Sequence, residues 1–328
     1  MAGRRPIDGR EVRRAVAAAG IHLLFRILRG LPRRAALRFC QLLGRLAWML
    51  DRRGRRVSLT NIEHAFGARV EPGLRRSIGR SAYINLAANL ADLSRVSKLS
   101  TESLSKLVTE GQEGFIQIEK AVRKGRGIII LTPHLGNWEL LTAYLGSRGA
   151  PVHFVGREPY DERLDALFES VRCSHGAGWI RRGGAFGRIR EVLNEGELVL
   201  LLIDQDTSRV RGTYVDFFGR PAWTATGPAV LARLTGATIL PTALIRLQNH
   251  SYRLVMEPPI RTVDTSDEEY DDWENTRRCT LALESLIERF PAQWVWFHRR
   301  WRIRPPNGWV PPEPPGPDPL YPIRQPGN

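Results

Sequence analysis

The stretch Gly127-Ile-Ile-Ile-Leu-Thr132 constrains this chain more than any other. The run is short, wholly apolar and mostly β-branched, which is the texture of a parallel strand covered on both faces. Further strand candidates lie at 152–155, 179–180, 198–203 and 237–245, with 252–256 as a hairpin partner for the last. Helical stretches fall between them: one to about Gly146, then 161–174, 185–195 and 225–235, and a long helix at 268–290. Strand and helix therefore alternate from 127 to 245. This predicts an α/β fold, a central mostly parallel sheet with flanking helices. Ligand sites in such sheets lie beyond the carboxyl ends of the strands.

What precedes the sheet is helical and cationic. Hydrophobic residues make up 42% of the chain and charged residues 25%, so the protein is globular. Residues 1–60 hold 15 arginines and no lysine against Asp8, Glu11 and Asp51, so most of the formal net charge of +15 sits there. Three readings compete for this segment: a solvated basic face, phosphate neutralisation on nucleic acid, and attachment to an anionic membrane surface. The pattern favours the membrane. On a helix, Arg26, Arg29 and Arg33 fall within about 60° of one another, opposite Leu23, Leu24, Ile27, Leu28 and Leu31. Arg38, Arg45 and Arg52 form a second stripe, and Leu37, Phe39, Leu42, Leu43, Leu46, Trp48, Met49 and Leu50 fill the rest. Nucleic acid needs no such bulky apolar surface. Two amphipathic helices broken at Gly30–Pro32 are expected, followed by helices at 56–67 and 71–94 and two shorter ones within 101–124.

No stretch free of Asp, Glu, Lys and Arg exceeds 12 residues, too short for a spanning helix of about 20. Attachment is therefore expected to be monotopic. The expected organisation is a basic amphipathic membrane-associating region at 1–55, an α/β domain at 56–304, and an extended tail at 305–328, where ten of the 22 prolines lie. Cys40, Cys173 and Cys279 are far apart and make no CxxC pair, which argues against a disulfide framework or a zinc ribbon and for a reducing compartment.

The candidate site follows the first buried strand, in Thr132-Pro133-His134-Leu135-Gly136-Asn137-Trp138-Glu139. Pro133 ends the strand, and Asn137 can cap the next helix. His134 then sits in the loop and Glu139 in the first helical turn, where the helix dipole favours an anion. This spacing can bring the Glu139 carboxylate to one imidazole nitrogen and leave the other for a substrate hydroxyl. A satisfied structural histidine is the competing reading. There is no GxSxG elbow, GxxxxGK[ST] loop or HExxH motif, and no cysteine in a nucleophile context.

His134-Leu-Gly-Asn-Trp-Glu139 resembles the HxxNWE form of the HX4D/E motif of the lysophospholipid acyltransferase superfamily. More narrowly, the chain resembles the bacterial lipid A late acyltransferases and their relatives, the mycobacterial phosphatidylinositol mannoside acyltransferases. The resemblance runs over about residues 15–304. It is carried also by Arg56-Val-Ser-Leu-Thr-Asn61 with Phe66-Gly67, by Val155-Gly-Arg157, by Arg172 with Gly176, and by Asp204-Gln205-Asp206. Phe217-Phe218-Gly219-Arg220-Pro221-Ala222, Leu231-Ala232-Arg233 with Thr235-Gly236-Ala237 and Pro241, and Pro291 to Trp301 complete it.

The resemblance implies a glycerolphosphate acyltransferase-like fold and an O-acyltransferase on the cytoplasmic face of a bacterial inner membrane. His134 would be the general base and Glu139 its orienting partner. The donor would be a fatty-acyl thioester of acyl carrier protein or coenzyme A, and the acceptor a lipid A precursor or similar glycolipid. Arg157 and Arg172 would hold phosphate or anionic head groups, and Asp204 and Asp206 would bind the acceptor. No metal or bound cofactor is implied, and no nucleic acid. A different lipid acceptor, a thioesterase and a non-catalytic membrane or nucleic-acid binder are the alternatives, and His298 has a minor claim as a second catalytic group.

Overall fold

The computed structural model describes residues 9–110, 114–123, 125–156 and 161–315. The N-terminal third is helical: α1 (Gly9–Gly30), α2 (Arg33–Leu50), α3 (Arg52–Phe66), α4 (Pro72–Leu93) and α5 (Thr101–Leu107). Strand β1 (Val108–Glu110) and helix α6 (Gly114–Arg123) lead into the sheet. There follow β2 (Ile128–Leu131), α7 (Trp138–Ser147), β3 (Val152–Gly156), α8 (Asp165–Arg172), β4 (Gly178–Arg181), α9 (Ala185–Asn194) and β5 (Leu198–Leu201). The chain continues through β6 (Gly212–Phe217), β7 (Arg220–Ala225), α10 (Gly227–Thr235), β8 (Thr238–Arg246), β9 (Tyr252–Met256) and α11 (Glu268–Arg289).

Seven strands form one sheet in the order β1-β9-β8-β2-β5-β3-β4. Every neighbouring pair is parallel except β8 and β9, which form the expected antiparallel hairpin. The four residues of β2 are fully buried. Ile129 and Leu131 enter the core shared with α3, α4, α9, α10 and α11, whereas Ile128 and Ile130 enter the core shared with α1, α5, α6, α7 and α8. Each such side chain contributes about 1.5–3 kcal/mol on burial, which is why the run carries no polar residue.

β1 and the separate two-stranded ribbon of β6 and β7 have no forerunner in the sequence reading. β1 has only three residues. The ribbon turns on Phe218 and Gly219, both at positive φ (52° and 69°), the handedness of a primed hairpin turn. A phenylalanine at the first of these positions hides the usual glycine or asparagine signal.

The chain breaks between α1 and α2 at Gly30–Pro32 as expected. Leu28, Ala36, Leu37 and Cys40 pack on Ala88 and Ala91 of α4. The approach is close: a Cβ on Gly44 would lie 2.7 Å from the Ile84 Cα. The outer faces stay open. Val12, Val16, Leu23 and Ile27 of α1 are exposed, as are Phe39, Leu42, Leu46, Met49 and Leu50 of α2. Arg26, Arg34, Arg38 and Arg45 are also exposed. Arg29 and Arg33 instead turn inward, to the Ser94 carbonyl and to Asp92. No helix among the described residues is long and apolar enough to cross a membrane. Residues 305–315 carry no helix or strand, and the Trp309 ring meets Tyr214 edge-on.

Candidate active site

The loops after β2 and β5 leave the sheet side by side. From β2 the chain crosses by α7 on one face, and from β5 it returns by the ribbon and α10 on the other. Connections diverging to opposite faces open a crevice between adjacent strands, the usual place for a site in such a sheet. The parallel register sets what meets there. Leu131 pairs with Leu201, an offset of 70 positions. The Thr132 N–H still reaches the Leu201 carbonyl, at 3.0 Å. Three residues past each strand, at the same offset, stand His134 and Asp204.

The His134 Nδ1 lies 2.8 Å from Asp204 Oδ1. Asp204 Oδ2 accepts the His134 backbone N–H and the Trp294 indole N–H, both at 2.7 Å. The Asp204 side chain is wholly buried, and the His134 side chain is 23% exposed. Burial alone would push the Asp204 carboxyl up. The neighbouring imidazole and the three hydrogen bonds outweigh it and hold the group below the usual carboxylate range. An ionised carboxylate only accepts, so Nδ1 carries a proton, and a neutral ring held this way has its lone pair on Nε2.

Glu139 stands in the first turn of α7, and the Asn137 side chain caps that helix through the Leu140 N–H. Its carboxylate does not orient the imidazole. It accepts Arg172 Nε at 3.2 Å and an Arg172 terminal nitrogen at 3.0 Å, a fork on two oxygens. The Arg172 guanidinium lies over three rings, 4.7 Å from the Phe154 centroid and 5.1 Å from those of Phe168 and Trp179. Both side chains are nearly buried, at 10% and 14% exposure. The carboxylate on the imidazole, expected to be that of Glu139, is that of Asp204. Arg172, expected to hold a substrate anion, spends this fork on Glu139. The reason is reach: the helix dipole favours a carboxylate at position 139, but the strand register has already placed another on the ring.

Asp206, expected to bind the acceptor, is an internal brace. Its Oδ1 accepts from Arg302 at 3.1 Å, its Oδ2 accepts the Ile303 N–H at 2.7 Å, and its side chain is fully buried. Asp204, also expected to bind the acceptor, has its oxygens on three internal donors. Arg157 lies outside the described residues.

The loop itself is held by polar groups far away in sequence. Asn89 Nδ2 donates to the Gly136 carbonyl at 2.6 Å, and Asn137 Nδ2 donates to the Tyr252 hydroxyl at 3.0 Å. The Tyr252 hydroxyl donates to Asp92, which also accepts from Arg246 and Arg33. Burial opposes ionisation of Asp92, but the two guanidinium groups outweigh it and keep the carboxyl below its usual range. Gly136 has φ +62°, and a Cβ there would collide with the Leu244 carbonyl. No spacing pattern announces Asn89, Asp92, Tyr252 or Trp294, because each acts across more than 45 residues.

Among the described residues, no serine or cysteine is paired with His134, and no group of three His, Cys, Asp or Glu side chains could hold a metal ion. Fold and site together define an α/β protein with a histidine–aspartate pair at the switch point of its sheet. The chain belongs to the bacterial lipid A biosynthesis acyltransferase family, whose family model matches residues 7–303. It is 28% identical over 195 residues to the lipid A biosynthesis palmitoleoyltransferase of Escherichia coli strain K12, covering 59% of this chain and 61% of that one. It is 29% identical over 195 residues to the lauroyltransferase of the same strain, covering 58% and 61%. It is 30% identical over 152 residues to the phosphatidylinositol mannoside acyltransferase of Mycobacterium tuberculosis strain H37Rv, covering 45% and 48%. The chain thus spans less than two thirds of the length of these curated relatives.

Proposed function

We propose that this protein is a membrane-surface O-acyltransferase that moves a fatty acyl group from a thioester to a hydroxyl of a glycolipid, a lipid A precursor or a related phosphoglycolipid. The observation that carries the reading is the His134–Asp204 pair at the crevice, in a chain of this family. His134 Nε2 takes the proton of the acceptor hydroxyl as its oxygen attacks the thioester carbonyl. The tetrahedral adduct collapses, the C–S bond breaks, and the imidazolium returns its proton to the departing thiolate. Asp204 holds the tautomer and stabilises the imidazolium. Glu139 and Arg172 frame the wall of the crevice. The donor is an acyl thioester of acyl carrier protein or coenzyme A. The acceptor is a glycolipid because the relatives named for lipid A and for phosphatidylinositol mannoside share that chemistry.

Membrane attachment at the bacterial inner membrane rests on the open faces of α1 and α2. Phe39, Leu42, Leu46 and Met49 recur at helical spacing on one exposed side, with Arg38 and Arg45 beside them. Each large apolar side chain moved out of water contributes about 1.5–3 kcal/mol, and each arginine near anionic lipid adds about 1 kcal/mol.

Mass spectrometry of products tests the activity. Protein in mild detergent receives acyl-carrier-protein and coenzyme A thioesters with lipid A precursors and phosphatidylinositol mannosides. A gain of one acyl mass on one acceptor, lost in His134→Ala, is expected. Thioester hydrolysis that an acceptor never diverts would identify a thioesterase instead. For the surface, Leu42→Glu with Leu46→Glu should abolish flotation with vesicles containing anionic lipid, and unchanged flotation would remove α2 from the contact.

A further inference from the structure

A second imidazole is bonded to the same short piece of chain, 204–206. His298 Nε2 accepts the Asp206 backbone N–H at 2.9 Å. An amide N–H only donates, so Nε2 carries the lone pair and a neutral His298 ring carries its proton on Nδ1. Burial holds His298 below the usual imidazole range. His134 and Arg300 push it further down, and Asp204 and Asp206 oppose them. The backbone is fixed as well: Asn61 Nδ2 and the Arg300 N–H both donate to the His298 carbonyl, at 2.6 and 2.9 Å. Asp204 and Asp206 are two residues apart, so His134 and His298 hang from neighbouring points of one turn. Among the described residues no acceptor is bonded to His298 Nδ1.

Acyl transfer needs a donor for the oxygen that becomes negative when the carbonyl is attacked. The amides of the loop from His134 to Asn137 cannot serve. The His134 N–H is on Asp204, the Leu135 N–H on the Pro133 carbonyl, the Gly136 N–H on the Gln293 carbonyl and the Asn137 N–H on the Leu244 carbonyl. The Asp206 N–H is on His298 itself. We infer that His298 is a further catalytic residue, whose Nδ1–H donates a hydrogen bond to the oxyanion formed on the thioester carbonyl. This inference rests on the acyl-transfer reading. No proton is transferred in the step. The carbonyl π pair moves to oxygen while the acceptor C–O bond forms, and it returns when the C–S bond breaks. Neutral His298 also leaves the imidazolium of His134 without a second positive ring beside it.

Two substitutions separate a donor from a brace. In His298→Gln the side-chain carbonyl can replace Nε2 and accept the Asp206 N–H, but nothing donates from the Nδ1 position. In His298→Asn the amide nitrogen takes the place of Nδ1, and the Nε2 bond is lost. With the thioester and glycolipid pair that the wild-type protein turns over, His298→Gln should lower kcat by about 10²–10³ and leave the donor KM within about threefold. His298→Asn should recover about tenfold or more of that loss. With the glycolipid acceptor present, its hydroxyl oxygen adds to the ketone carbon of a trifluoromethyl ketone analogue of the acyl thioester, His134 takes the hydroxyl proton, and the ketone oxygen becomes the anion. Binding of this adduct should weaken in His298→Gln by a factor similar to the fall in kcat. Melting curves show that each variant is folded, and the ketone measurement on His298→Gln stands even where His298→Asn does not fold. Wild-type kcat and undiminished ketone binding in His298→Gln, or a His298→Asn variant no better than His298→Gln, would overturn the assignment and point to the first-turn amides of α7. Absence of transfer by the wild-type protein with every pair would count against the acyl-transfer reading itself, a different result.

Discussion

Replacing Asp204 by asparagine exchanges a carboxylate for a near-isosteric amide at the one group bonded to the imidazole among the described residues. Asp204 Oδ2 serves two donors, the His134 N–H and the Trp294 indole, while Oδ1 serves Nδ1. Asparagine has one acceptor oxygen, and it stays where two donors converge. The amide NH2 then faces His134 Nδ1. It cannot accept, so the ring moves its proton to Nε2 and turns its lone pair inward. The atom that must take the acceptor proton already holds one. A reversed tautomer in a histidine–aspartate pair costs about 10⁴ in kcat, and a fall of about 10³–10⁴ is expected here. That is about 4–5.5 kcal/mol at 1.36 kcal/mol per tenfold. The acceptor KM should barely move, because the buried Asp204 side chain meets no substrate. The assay is initial-rate acyl transfer followed by mass spectrometry, with melting curves for each variant. Glu139→Gln leaves the imidazole on Asp204 and should cost less than about tenfold. A mild effect of Asp204→Asn beside a thousandfold loss in Glu139→Gln would refute the assignment and return Glu139 to the imidazole.

Three further outcomes follow from the same geometry. Arg172→Lys keeps the charge but loses the fork on Glu139 and the stacking on Phe154, Phe168 and Trp179, so thermal melting should show a loss of about 1–3 kcal/mol. Arg172→Ala combined with Glu139→Gln should show a coupling above about 1 kcal/mol, and additivity would show that the pair is solvated. Glu284 on α11 has an oxygen without a partner, and burial pushes its carboxyl up from 4.5 to about 7. A raised folded value means that the stability gained by protonation is complete below 4.5 and lost as pH rises through about 7. Glu284→Gln should therefore stabilise the fold at pH 8 by on the order of 1–2 kcal/mol, allowing for partial exposure, and hardly at pH 5. No gain in Tm at pH 8 would show that the carboxylate is hydrated in place.

Most of the sheet was legible because its central strands β2, β5 and β8 are buried nearly throughout, and buried apolar runs between helical stretches leave few alternatives. The breaks at Gly30–Pro32 and Pro133 were legible for local steric reasons. The ribbon of β6 and β7 was not, because Phe218 occupies a left-handed turn position usually marked by glycine or asparagine. The arginine stripes were only half right. Helical periodicity says which residues share a face, but not which face the rest of the protein covers. Arg29 and Arg33 turned inward because α4 offers the Ser94 carbonyl and the Asp92 carboxylate there.

His134 was legible, and the partner chosen for it was not, for a reason that lies in how the two distances are set. Glu139 lies five positions after His134, and a short separation shows that two residues are close along one loop and helix turn. It does not show that their side chains converge, and α7 carries Glu139 toward α8 and Arg172. Asp204 lies seventy positions after His134, an offset that means nothing until two strands are known to be neighbours. Once β2 and β5 are paired with Leu131 opposite Leu201, the same offset places Asp204 opposite His134. Each chain runs three residues beyond its strand to reach the crevice. The acidic motif was visible as Asp204-Gln205-Asp206, yet its two carboxylates have different work. Asp204 faces the imidazole across the register, and Asp206, two residues further on, faces the returning segment at Arg302 and Ile303. A sequence separation equal to a strand register is therefore the signal that could have found the pair, and it can be read only after the sheet order is known.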